Sequence, residues 1–146
     1  MFSLFCAIFA HQLDTITEYY SMENRHRKII IALGSNTEQE AHVGLAMEML
    51  RRHFGKMRFS RKMWTQPIGI RSDLFLNVLA EADVRMPVEE VTRRLKEIEV
   101  VCGRCQEEGE STKVKIDIDL LLYGSEKYHE SDWQREYVQE LLQEMA

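Results

Sequence analysis

The chain has 146 residues, of which 45% are hydrophobic and 29% charged, with a formal net charge of −5. That suffices for one domain around a single core, and a mildly acidic total argues against a nucleic-acid partner, whose phosphates call for a basic face. No apolar run approaches the ~20 residues of a membrane span, and the three cysteines, Cys6, Cys102 and Cys105, do not make a disulfide framework, so a reducing cytoplasm fits.

Residues 1–27 read as an N-terminal extension outside the fold and 28–146 as the domain itself. Phe2–Ala10 is apolar but short and lacks the basic start of a secretory signal. Met22, just ahead of the first strand, is a candidate start. Lys28–Leu33 is an Ile-rich run closed by Gly34, the pattern of a buried strand. Thr37 is placed to cap a helix over Glu38–Phe54, whose apolar residues recur at three- and four-residue spacing before Gly55. Met57–Trp64 alternates apolar with basic residues and predicts one half-exposed strand. After the Pro67 and Gly69 loop, Phe75–Val84 predicts another.

Pro87 opens a second helix, with Val88, Val91, Leu95 and Ile98 as its buried stripe and Gly103 as its end. Residues 104–112 are polar and acidic, hence a loop. Lys113–Tyr123 is the clearest strand: Val114, Ile116, Ile118, Leu120 and Leu122 share one face, and Lys113, Lys115, Asp117 and Asp119 the other. Ser131–Gln134 has a capping-box pattern, and Trp133, Tyr137, Leu141 and Met145 outline a last helix. The order β-α-β-β-α-β-α predicts an α+β fold, a ferredoxin-like sandwich with helices on one side of a mostly antiparallel sheet.

Ile116-Asp117-Ile118-Asp119 is the sharpest chemical feature. Residues two apart on a strand project from one face at roughly 7 Å between Cα atoms. Their side chains can grip a hard cation such as Mg²⁺, which takes oxygen ligands and shares its shell with substrate phosphates. Asp is a poor strand former, and adjacent like charges repel, so the pair calls for a compensating cation.

Taken with Ile30–Asn36, Thr65-Gln66-Pro67-Ile68-Gly69, Phe75-Leu76-Asn77, Ile98-Glu99 before Gly103-Arg104, and Leu120 through Tyr123-Gly124, this feature completes an ordered set over Lys28–Gly124. The set resembles the 6-hydroxymethyl-7,8-dihydropterin pyrophosphokinase family of folate synthesis. The resemblance implies transfer of diphosphate from ATP to the pterin hydroxymethyl group, giving AMP. It implies that Asp117 and Asp119 hold two Mg²⁺ ions, that Thr65, Gln66 and Ile68 meet the pterin, that Phe75 stacks on it and that Asn77 reads its edge. Glu99 falls beside the nucleotide, and Gly34-Ser35-Asn36 matches a turn behind the pterin pocket. ATP and the pterin are then the small-molecule partners of a monomer or weak dimer, with no membrane and no nucleic acid involved.

Two stretches depart from the family. The Arg-rich loop expected before the Asp pair is here Cys105–Thr112 and acidic, leaving Lys113 and Lys115 as the cations nearby for ATP. Lysine is a point charge rather than a bidentate fork. The tail offers Tyr128-His129 and Arg135 where the family has a longer ATP-touching segment, and His129 by itself reads as a surface residue. A catalytically weakened or inactive pterin- or nucleotide-binding relative is therefore the alternative. Cys102-Gly103-Arg104-Cys105 has redox spacing but sits at a helix C-terminus, where the dipole opposes thiolate formation, and reads as structural. Trp64 reads as strand-end packing.

Overall fold

The nine residues Arg27–Ser35 form β1, the middle of a six-stranded antiparallel sheet. The computed structural model describes residues 7, 9–17, 25–69, 71–103 and 112–146. After β1 come α1 (Gln39–Phe54), β2 (Met57–Phe59), β3 (Met63–Thr65), β4 (Phe75–Val84) and α2 (Val88–Val101). The chain closes with β5 (Asp117–Tyr123), β6 (Glu126–Lys127), α3 (Glu130–Trp133) and α4 (Glu136–Met145). The sheet runs β2-β4-β1-β5-β6, with β3 also paired to β4. This is the α+β architecture the sequence predicts. Among the described residues no helix is long and apolar enough to cross a membrane.

Alternation along the strands divides the core in two. Ile29, Ile31 and Leu33 of β1 join Leu76 and Val78 of β4, Ile116, Ile118 and Leu120, and the buried stripes of α1 and α2. On the opposite face Ile30, Leu79 and Leu121 pack against Val138, Leu141 and Met145 of α4. Each such aliphatic side chain contributes about 1.5–3 kcal/mol on burial. The expectation of helices on one side only is thus corrected: α4 covers part of the second face. Arg61 holds it there through Glu144 (2.9 Å) and Glu140 (2.8 Å).

Several other local expectations change. Met57–Trp64 is two strands, because Ser60 breaks the ladder: its backbone N–H bonds the Leu79 carbonyl, and its hydroxyl accepts the Leu79 N–H, both at 2.8 Å. Thr37 is not the cap of α1; Glu38 occupies that position with a φ of 43° and no side-chain cap. The last helix is broken after Trp133, with His129 and Arg135 at the two caps and no capping box. The buried stripe of α4 is therefore Val138, Leu141 and Met145, and Tyr137 lies outside it. The hairpin of β5 with β6 carried no clear sequence signal.

The strand predicted from Lys113 starts only at Asp117. Residues 112–114 are instead held by the buried Asn36, whose N–H bonds the Val114 carbonyl and whose Nδ2 donates to the Thr112 carbonyl at 2.7 Å. Val114 N–H returns a bond to Asn36 Oδ1. Near its far end β5 carries one extra residue: Ile31 pairs with Leu120 but Ile30 with Leu122. This bulge puts Leu121 and Leu122 on the α4 side together and ends the predicted alternation.

Candidate functional site

The register of the sheet lines up the sequence-predicted residues. Met63 pairs with Asn77, Asn77 with Gly34, and Gly34 with Asp117. One strand step further, Ala32 pairs with Asp119. With neighbouring strands about 4.8 Å apart, the Asn77 and Asp117 backbones stand about 10 Å from each other on the face opposite α1 and α2. Between them lies Gly34, whose missing side chain keeps the floor open: a Cβ there would meet Asn77 Oδ1 at 3.4 Å and the Phe75 ring at 3.6 Å.

Above this floor is a cavity of about 520 Å³. Thr65, Gln66, Ile68, Phe75 and Asn77 line it, as do Asp117 and Asp119. Its far wall comes from the C-terminal segment: Asp132, Arg135, Glu136, Tyr137 and Glu140. Asn77 is nearly fully buried. Its Nδ2 donates to Thr65 Oγ1 (2.7 Å) and to the Met63 carbonyl (3.1 Å), which fixes the amide with Oδ1 turned toward Gly34. The amide is thus oriented before anything binds. Trp64 alternates away from the cavity and is 48% exposed, which corrects its reading as strand-end packing.

A second cavity of about 400 Å³ opens on the other side of the acidic pair, lined by Thr92, Lys96 and Glu99 of α2, by Asp117 and Asp119, and by Tyr128 and His129. Glu99 accepts the Ile118 N–H at 2.8 Å, tying α2 to the edge of β5 between the two aspartates. Neither Lys113 nor Lys115 lines either cavity. Because the strand starts after them, their alternation with the aspartates does not hold, and Lys115 Nζ lies 3.4 Å from the Gly103 carbonyl at the end of α2. His129, read as a surface side chain, lies 3.8 Å from Asp119 Oδ1 and is half exposed.

Electrostatics concentrate on Asp119. Burial pushes its carboxyl up to about 7, the charge of Asp117 and a hydrogen bond with that residue push the same way, and His129 opposes them. The two acids therefore lie together rather than splayed apart. Among the described residues no cluster of three or more His, Cys, Asp or Glu forms a protein-only metal cage. Two adjoining carboxylates, one of them largely buried, fit a hard dication that completes its shell with water and phosphate oxygens. Burial also raises the Tyr137 hydroxyl, against a hydrogen bond from Arg135. Arg135 in turn pairs with Asp132 at 3.2 Å. Sequence reasoning missed Asp132 and Tyr137, and could not place Arg135 or His129. An aromatic spaced two after an arginine in the tail was the available signal.

The decoy cysteine motif resolves in part. Cys102 is buried behind the C-terminal end of α2, and its thiol is pushed up by that burial, as a structural cysteine's should be. Cys105 and the acidic loop through Ser111 lie outside the described residues.

Comparison with known proteins adds one positive finding. The family described as 7,8-dihydro-6-hydroxymethylpterin-pyrophosphokinase (HPPK) matches residues 30–146. No individual curated protein matches the chain.

Proposed function

Because this chain belongs to the pterin pyrophosphokinase family, we propose that it transfers diphosphate from ATP to the hydroxymethyl oxygen of 6-hydroxymethyl-7,8-dihydropterin and releases AMP. One observation carries the reading: Asp117 and Asp119 form the wall shared by two cavities, one floored for a flat ring and the other open along α2.

The pterin is assigned to the first cavity. Phe75 offers a ring face, with Tyr137 on the opposite wall. Asn77 Oδ1 is a fixed acceptor for the N–H edge of the heterocycle, held by Thr65. Gln66 and Ile68 border the entrance. The nucleotide is assigned to the second cavity, beside Glu99 and Lys96. Lys115 would reach a phosphate only by leaving Gly103, and Lys113 only from outside the cavity wall. Asp117 and Asp119 would hold two Mg²⁺ ions, which when bound neutralise the phosphate charge that grows during transfer. The chain's own contribution is position: the hydroxymethyl oxygen and the β-phosphorus are brought together across the two acids. Attack forms the O–Pβ bond and breaks the bond from Pβ to the α,β-bridging oxygen, which leaves with AMP, while the hydroxyl proton passes to solvent.

The decisive assay is AMP release by purified protein with Mg²⁺, dependent on both substrates. No AMP at enzyme concentrations comparable to substrate sinks the catalytic reading. One observation favours a second reading, a binding protein of weak or no activity. Around the two cavities Arg135 is the sole arginine among the described lining residues, while Asp132, Glu136 and Glu140 add negative charge. One phosphate-facing arginine is worth about 10³–10⁵ in rate in other phosphoryl-transfer enzymes. Calorimetry showing pterin binding without ATP binding would support that reading.

A further inference from the structure

We propose that Trp133 is a positioning residue that sets the C-terminal walls of both cavities at once; the inference rests on the reading of the two cavities as pterin and nucleotide sites. Residues of the segment 128–137 wall both cavities that the acidic pair lines, and His129 comes within 3.8 Å of Asp119. His129, on one side of Trp133, borders the second cavity, and Asp132 and Arg135 border the first. This stretch has little regular structure to hold it, since α3 spans only four residues and buries none of them.

What fixes it is the indole. Trp133 Nε1 donates to two carbonyls, Leu121 at 3.1 Å and Tyr128 at 3.0 Å. Tyr128 N–H also bonds the Leu121 carbonyl at 2.9 Å. Leu121 is the extra residue of the β5 bulge, so its carbonyl is released from the ladder with β1 and becomes an anchor on the rigid sheet. The same ring carries Lys127 Nζ at 4.6 Å from its centroid, and Gln139 of α4 donates to its backbone carbonyl. The indole therefore ties β5 to the β6 hairpin, and the backbone of the same residue takes the bond from α4; the Leu121 anchor lies two residues after Asp119 on β5.

The test uses the full chain. Trp133→Phe keeps the ring and removes the N–H. Calorimetry would compare it with the wild type for 6-hydroxymethylpterin and for a non-hydrolysable ATP analogue with Mg²⁺. Loss of the N–H that the two carbonyls share is expected to weaken both ligands about five- to twenty-fold, while Trp133→His, which retains a ring N–H, recovers part of the loss. Lys127→Met, which removes only the cation over the ring, should leave both affinities within twofold. A second measurement does not depend on the variants folding. In protein labelled with 5-fluorotryptophan, with Trp64 assigned through Trp64→Phe, the Trp133 fluorine resonance should shift on adding either ligand. Wild-type binding together with unchanged affinities in Trp133→Phe, or with a Trp133 resonance that ignores both ligands, overturns this inference alone. A wild type that binds neither ligand overturns the functional reading and this inference with it.

Discussion

The two cavities that share Asp117 and Asp119 are built in different ways. The first rests on four strands in fixed register, and its key amide is locked by Thr65 and the Met63 carbonyl before any ligand arrives. The second is bounded by one face of α2 and by a short segment anchored to the Leu121 carbonyl by the Trp133 indole and the Tyr128 N–H. A floor made of paired strands gives accurate placement at little conformational cost on binding, whereas a wall made of a helix and a turn leaves more to be ordered by the ligand. Selectivity for the flat ring should therefore be intrinsic, and nucleotide affinity more easily altered.

The largest effect that would break this comparison lies at the shared wall. Asp117→Ala should lower AMP release by at least about 10³-fold, the scale of losing a main electrostatic contributor, while pterin affinity measured by calorimetry changes only a few-fold. Comparable loss of pterin binding would mean that the acids hold the ring rather than the phosphates. Phe75→Ala comes next: an aromatic contact worth about 1–3 kcal/mol predicts a pterin Kd raised about 5–150-fold with the ATP-analogue Kd unchanged. Equal effects on both ligands would erase the division into two sites.

Gly34→Val sharpens the same division. The added carbons enter the gap between Phe75 and Asn77, where a Cβ already makes ordinary contacts at 3.4 and 3.6 Å. Pterin affinity should fall about tenfold while the melting temperature moves by a few degrees at most; an unchanged affinity would place the ring elsewhere. The smallest effect is on stability. The Asp119 carboxyl is raised from 3.8 to about 7 in the folded chain. Its protonated form is favoured there, so its stabilising contribution is complete below the unfolded value and is lost as pH rises through about 7. In chelator, Asp119→Asn should melt a few degrees above the wild type at pH 8, and the gap should narrow at pH 5. A gap independent of pH, followed by scanning calorimetry, would remove burial of this charge from the account.

Much of this was legible in the chain because it depends on local order. Phe75–Val84 and the stripe Val91, Leu95 and Ile98 are long and strongly periodic, and the strand placement of Asp117 and Asp119 follows from the apolar residues between them. The row from Met63 through Asn77 and Gly34 to Asp117 was not legible, since register is decided by pairing between distant segments. Nor was the place of Tyr137 in the cavity wall. Read as one helix from Trp133, it belongs to the buried stripe; in the separate α4 Val138 takes the fully buried place beside Leu141 and Met145, and Tyr137 stays half-buried at the edge of that cluster, where it also lines the cavity. Lys113 and Lys115 are missing from the cavity walls for a similar reason: Asn36 holds residues 112–114 apart from the ladder, and Lys115 reaches toward the Gly103 carbonyl.

The position of α4 ties folding to function. The helix seals Ile30, Leu79 and Leu121 with its inner stripe and brings Tyr137 and Glu140 to the wall of the first cavity. No hinge separates the two duties. A Leu141→Ala variant, which leaves a hole beneath the helix, should therefore lose ligand affinity in proportion to its lost heat resistance, and warming should silence the protein at the temperature where that helix lifts, ahead of any general collapse of the sheet.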